Sequence, residues 1–140
     1  MAEYIATDVQ TVETNQNILF TDTLICGSNS IFHRQGSGLF TLRGITNQCR
    51  ARFKVTFGAN IAIPGGGTVD PISVAIAING EPILSTTMTV TPAAASQFFN
   101  VGRTTYIDIP AGCCSQISIK NTSTQSISIE DANLIIDRVA

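Results

Sequence analysis

Residues 71–90, PISVAIAINGEPILSTTMTV, constrain this chain more than any other stretch. Ile72, Val74, Ile76 and Ile78 alternate with Ser73, Ala75 and Ala77. A period of two puts large side chains on one face of a strand and small ones on the other. Asn79-Gly80 follows directly, and both residues tolerate the positive φ of a two-residue hairpin turn. Pairing across that turn sets Ile78 opposite Glu81, Ala77 opposite Pro82 and Ile76 opposite Ile83. Pro82 falls at a position that needs no bond to the first strand, but it offers no N–H to any strand beyond. The returning strand is therefore predicted to lie at a sheet edge.

The rest of the chain falls into short pieces of the same kind. Residues 17–24, 31–34 and 39–43 read as strands separated by Gly27-Ser28-Asn29-Ser30 and Gly36-Ser37-Gly38. In 50–63, Ala51, Phe53, Val55 and Phe57 face one way and Arg50, Arg52, Lys54 and Thr56 the other, a half-buried strand with a cationic outer face. Residues 97–101 and 104–110 are expected to pair around Gly102-Arg103, and 117–120 and 126–129 alternate again. The last strand, 132–139, carries Leu134, Ile135 and Ile136 on both of its faces and so is expected to be buried on both. About eight to ten such strands without a convincing helix predict an antiparallel sandwich or barrel. Residues 1–16 lack caps and periodicity, which predicts an extended N-terminal arm with Tyr4, Ile5, Val9 and Val12 as its anchoring side chains. Residues 17–140 are then the folded domain.

Composition narrows the function. Charged residues make up 13% of the 140 and the net charge is -2, which gives no electrostatic case for nucleic acid or an anionic membrane. Such low charge leaves few groups to cover an isolated subunit and points to buried contacts between copies. The terminal strand, with Phe98 or Phe99, is the expected subunit contact; neighbours on a strand cannot both face one core. No apolar run is long enough to span a bilayer, and the Met-Ala-Glu-Tyr start lacks a signal peptide's basic and apolar regions, so synthesis in a cytoplasm is expected. Cys26, Cys49, Cys113 and Cys114 include no C-x-x-C, and there is a single histidine, so a zinc site is not expected. Buried or half-buried thiols are favoured over disulfides.

No motif carries chemistry. Gly65-Gly66-Gly67 matches neither phosphate-binding glycine pattern and reads as a loop. His33 lacks a nucleophile elbow nearby and reads as a surface or interface side chain. Asp70 and Asp108 lack the dense oxygen spacing of a calcium loop. The Arg50, Arg52, Lys54 stripe is either a docking surface for an acidic partner or a solvated or ion-paired outer face, and the second reading is favoured. The Asn121-Thr122-Ser123 sequon matters only in a secretory pathway.

Several segments together resemble a known family. They are Gly38-Leu39-Phe40-Thr41-Leu42, Phe53-Lys54-Val55-Thr56-Phe57, Val74-Ala75-Ile76-Ala77-Ile78-Asn79-Gly80 and Tyr106-Ile107-Asp108-Ile109-Pro110-Ala111-Gly112, with Ile119-Lys120-Asn121-Thr122-Ser123 and Ala132-Asn133-Leu134-Ile135-Ile136-Asp137-Arg138 closing the chain. Their order and spacing resemble the trimeric jelly-roll heads of the complement and tumour-necrosis-factor superfamily, in particular the bacterial branch at the tips of collagen-like spore-surface glycoproteins. The resemblance implies an all-β antiparallel jelly-roll sandwich of ten strands, a homotrimer, no catalytic site and no cofactor. Lacking a Gly-X-Y stalk, the chain is similar to free-standing bacteriophage virion components. The expectation is a non-enzymatic structural virion protein, a capsid decoration or head-fibre component held to the major capsid or another virion protein and displayed on the particle surface. The alternative is an adhesion head that binds glycans on a spore, cell or tail fibre. With Tyr4 and Tyr106 as the only tyrosines and no Trp, it ranks lower.

Overall fold

The alternation in the long central strand organises the molecule. In the structure, a computed structural model that describes residues 1–27 and 29–140, this strand runs Arg50–Ala62 and its odd-numbered residues from Ala51 to Ile61 are all buried. In chain order the strands are β1 Ala2–Ala6, β2 Gln10–Val12, β3 Asp22–Ile25, β4 Ile31–His33, β5 Phe40–Arg43, β6 Arg50–Ala62, β7 Ile72–Ile78, β8 Glu81–Pro82, β9 Met88–Val90, β10 Phe99–Pro110, β11 Cys114–Asn121 and β12 Ile127–Arg138. They form two antiparallel sheets. The long sheet has the order β10-β6-β12-β1-β3, with β2 also paired to β12. The short sheet has the order β4-β5-β11-β7-β8, with β9 also paired to β7. Phe20, Phe40, Phe53 and Phe57 are fully buried between them, each contributing roughly 1.5–3 kcal/mol by leaving water.

The hairpin forms as its sequence requires. Ala77 pairs with Pro82 and Ile78 with Glu81, Ile83 N–H donates to Ile76 O at 2.8 Å, and β8 is an edge. Asn79 and Gly80 take φ of 49° and 86°. The chain then makes one 3-10 turn, Leu84–Thr86, whose buried Thr86 hydroxyl bonds back to β7.

Residues 1–16 differ from the expected arm. β1 lies inside the long sheet, paired to β12 on one side and β3 on the other, while β2 continues along β12. Ala2, Tyr4, Ala6 and Val12 are buried in the core, so Tyr4 and Val12 are core residues and not anchors; Ile5 is half-buried on the outer face and Val9 is exposed. The segment escaped notice because two of its inward residues are alanines, which carry little hydrophobic signal but fit closely beneath a neighbouring sheet. No boundary at residue 17 separates it from the rest.

Other expectations shift for local reasons. Within 17–24 only the end becomes strand β3, while Ile18 and Phe20 plug the core from a loop, held by Ile18 N–H to Ile119 O and Phe20 N–H to Ser37 O. Gly102-Arg103 is not a turn: β10 runs straight through it, pairing with β6 from Phe99↔Ile61 to Pro110↔Arg50. The break expected before residue 132 is a bulge within β12, with Asp131 at φ 51°. All four cysteines are free and exposed, not buried, because each sits at a strand end or in a loop. His33 is a core-lining residue, stacked on Phe40 at 4.2 Å and edge-on to Tyr4 at 4.8 Å. Asn121 of the sequon is fully buried, its Nδ2 donating to Val12 O and Gln125 O, and so holds the fold together rather than offering a glycan acceptor.

Candidate interaction face

The outward residues of the long sheet make one continuous surface. Register pairing across β10, β6 and β12 arranges them in rows: Pro110 with Arg50, Asp108 with Arg52, Tyr106 with Lys54 and Asp137, Thr104 with Thr56 and Ile135, Gly102 with Gly58 and Asn133, Asn100 with Asn60 and Glu130. Across these three strands the face thus has a charged end and an uncharged middle, which the half-buried Glu3 of β1 borders beside Ile135, accepting a 2.8 Å hydrogen bond from Asn133 Nδ2.

At the charged end Arg52 donates two hydrogen bonds to Asp108, from Nε at 2.8 Å and Nη2 at 3.1 Å, and Arg50 Nε lies 3.4 Å from the same carboxylate. The hydrogen bond from Arg52, with the charges of both arginines, holds the Asp108 carboxyl below its ordinary range, and the Arg52 guanidinium is raised in return. All three side chains are well exposed, so solvent screening leaves the cluster little net stabilising value. Lys54 makes no salt bridge among the described residues. It borders a shallow cleft of about 610 Å3 together with Arg52, Asp108, Asp137 and Tyr106, whose ring is 60% exposed. Among the described residues no cluster of three His, Cys, Asp or Glu side chains is placed to hold a metal.

The middle of the face is flat. Thr56 and Thr104 share a 3.1 Å hydroxyl contact, and Ile135 stands half-buried beside them. Gly58 and Gly102 lie opposite each other and leave bare backbone. A Cβ built on Gly58 would meet nothing closer than Val101 O at 3.8 Å, and its φ is not in the left-handed region. Nothing inside the subunit requires glycine there, yet glycine weakens a strand interior.

The subunit-contact residues expected from sequence divide sharply. Leu134 and Ile136 face inward, fully buried between the sheets in a single chain, and are not available to a second copy; only Ile135 of the three faces out. Phe98 and Phe99 are both exposed, at the β10 side of the sandwich. The Arg50, Arg52, Lys54 stripe is on the outer face as expected, two of its members engaged with Asp108. In the sequence Tyr106 stands out only as one of two tyrosines available to a glycan; its place on this face, with Gly102 beside Gly58 of β6, follows once Gly102-Arg103 is understood as strand.

No family model and no curated protein matches the sequence. Solved structures do share its shape. The globular domain of zebrafish complement 1qA protein matches with a TM-score of 0.63 at 12% identity, covering 96% of this chain and 94% of that one. Rabbit GITRL matches with a TM-score of 0.47 at 15% identity, over 79% of this chain and 77% of that one. The C-terminal domain of the sugar-binding protein EclA gives 0.44 at 16%, over 94% and 79%. Two antiparallel sheets of this order, with the complement domain's agreement over nearly the whole chain, make the fold a jelly roll like that of the complement domain.

Proposed function

We propose that this protein is a non-enzymatic structural head that closes as a homotrimer and serves as a building block on a virion surface, as capsid decoration or the end of a head fibre. The observation that carries the trimer is Gly58, bare on a strand where the subunit has room for a side chain. A glycine in a strand marks either a bulge or close approach by another backbone; Gly58 borders the β12 bulge, and its bare outer side is where we place the approach of a second copy. A three-fold ring uses two different patches per copy. The uncharged middle of the long sheet, with Ile135 and Thr56, is one; the β10 edge with Phe98 and Phe99 is the other. The virion setting, with assembly in a host cytoplasm and a major capsid or other virion protein as partner, rests on the sequence resemblance alone. Light scattering on the eluting protein tests the trimer: three 14.8-kDa chains per particle are expected, and a monodisperse single chain ends the reading. Immunogold labelling of purified particles tests the setting, and unlabelled particles argue against it.

A second reading follows from the Tyr106 cleft, whose exposed ring beside Asp108, Asp137 and Lys54 offers a stacking surface and polar groups for a sugar. The trimer would crowd that cleft, so the two readings compete. Binding on a glycan array that Tyr106→Ala abolishes would favour the sugar.

A further inference from the structure

With residues 1–16 spent inside the sandwich, the head needs another place to grip a partner. We propose that β3 is that place, and that it takes an extended segment of a partner protein as an added strand, with apolar residues at two-residue spacing and a basic residue beside them. The inference deepens the structural-head reading and relies on it for the existence of a partner.

Three observations carry it. First, β3 is an edge strand that pairs only with β1, and all four of its residues are exposed, with Leu24 at 58% and Ile25 at 40%. Edge strands left open pair with other chains unless something blocks them. Two other edges carry blocks, Pro82 in β8 and Arg103 with Pro110 in β10, whereas the β4 edge, Ile31–His33, carries neither lysine nor proline. β3, Asp-Thr-Leu-Ile, has neither lysine nor proline; its protection is limited to its four-residue length, Asp22 and a register shift against β1 between Glu3 and Tyr4.

Second, hollows flank β3 on its inner side. One, of about 130 Å3, is lined by Ala6, Val9, Leu19 and Thr21. The next, of about 200 Å3, is lined by Thr23, Ile31 and Phe32, whose ring is 51% exposed. Thr21 and Thr23 are two residues apart, about 7 Å along an extended chain. An added strand would drop alternate side chains into successive hollows while its backbone bonds to β3, which is how strand addition combines affinity with specificity.

Third, the two ends differ in charge, with Arg43 over the Phe32 ring at 5.5 Å near the second hollow and carboxylates near the first. Asp8 lines the first hollow and Asp22 starts β3, and neither hollow is lined by Lys or Arg. A basic residue flanking the apolar pair therefore fits the Asp8 end.

The test uses the full chain and a fluorescein-labelled octapeptide of lysine, threonine, isoleucine, threonine, isoleucine, threonine, serine and serine. Fluorescence anisotropy is expected to show binding by ~1 mM, weakened about tenfold when alternate backbone amides are N-methylated, when glutamate replaces the lysine, or when Thr23→Arg fills the second hollow. Thr23 is exposed, so that variant keeps its melting temperature. Absence of binding, or equal binding by the N-methylated peptide, overturns the proposal. Self-association that Thr23→Arg abolishes overturns it too, by making a second copy the occupant. The trimer is scored separately: a single chain that binds the peptide sinks the trimer and leaves this proposal, and a trimer that does not bind does the reverse.

Discussion

The outer faces of the two sheets obey the same alternation and end differently. On the short sheet, Ala75 and Ala77 of β7 and Ser118 of β11 point away from the core and are still buried within the chain. On the long sheet, Tyr106, Thr104 and Gly102 point away from the core and are open. The subunit has covered the β7 part of one outer surface by itself, with Phe32 and Gln116 open further along, and left the other flat, weakly charged in its middle and bare at a glycine pair. The proposed trimer contact uses that second surface.

The largest effect is expected from deleting residues 1–16, which removes β1 from between β12 and β3 together with buried Tyr4 and Val12. Loss of a cooperative thermal transition is expected; a truncated chain that still melts sharply would restore the free arm. Gly58→Val comes next and acts on assembly. It should reduce the particle from three chains to one in light scattering, while the isolated subunit gains about 0.5–1 kcal/mol from a β-branched residue in a strand. A Gly58→Val protein that remains trimeric would place the contact elsewhere.

The matching change on the other sheet is Ala77→Leu. Its added carbons must enter a filled space, so urea denaturation should report a loss of about 1–3 kcal/mol with the particle mass unchanged. If Ala77→Leu instead changes the mass, the short sheet is also an interface. Acid sharpens the contrast by acting between the sheets. Burial holds the His33 imidazole below its ordinary value, against the opposing effect of its bond to Ser37 O, and its buried Nδ1 has no partner among the described residues. The unfolded chain thus takes up the proton first. His33's contribution to stability is full above pH about 6.5 and falls as the pH drops through that value toward the folded pKa. Melting temperatures across that window should decline, and His33→Phe should flatten the decline. The smallest effect belongs to Asp108→Asn: its cluster is solvent-exposed, so the midpoint of denaturant titration should stay where it is, and a clear shift would show that the cluster holds the sheet together.

Much of the fold was legible in the residues. The Asn79-Gly80 hairpin and the alternation of β6 each state a local rule of backbone geometry, and each formed; the terminal strand formed too, but in the single chain only one of its two apolar faces is buried. The face was legible only in fragments. Arg50, Arg52 and Lys54 announced themselves by charge, whereas Gly58 and Gly102 looked like ordinary glycines until pairing put them opposite each other.

The amino-acid order by itself determined which residues alternate, where the chain turns and that the product is a β-sandwich, because φ/ψ preferences and side-chain period are properties of neighbours in sequence. Only the tertiary structure decided which side of β12 is the core, that residues 1–16 are an internal strand, and that β3 is left as an open edge. Those choices depend on pairing between segments more than a hundred residues apart, such as Tyr4 with Leu134, and on the space the opposite sheet leaves. Alanines and glycines fill that space well, and they are the residues whose hydrophobic signal is too weak to reveal it.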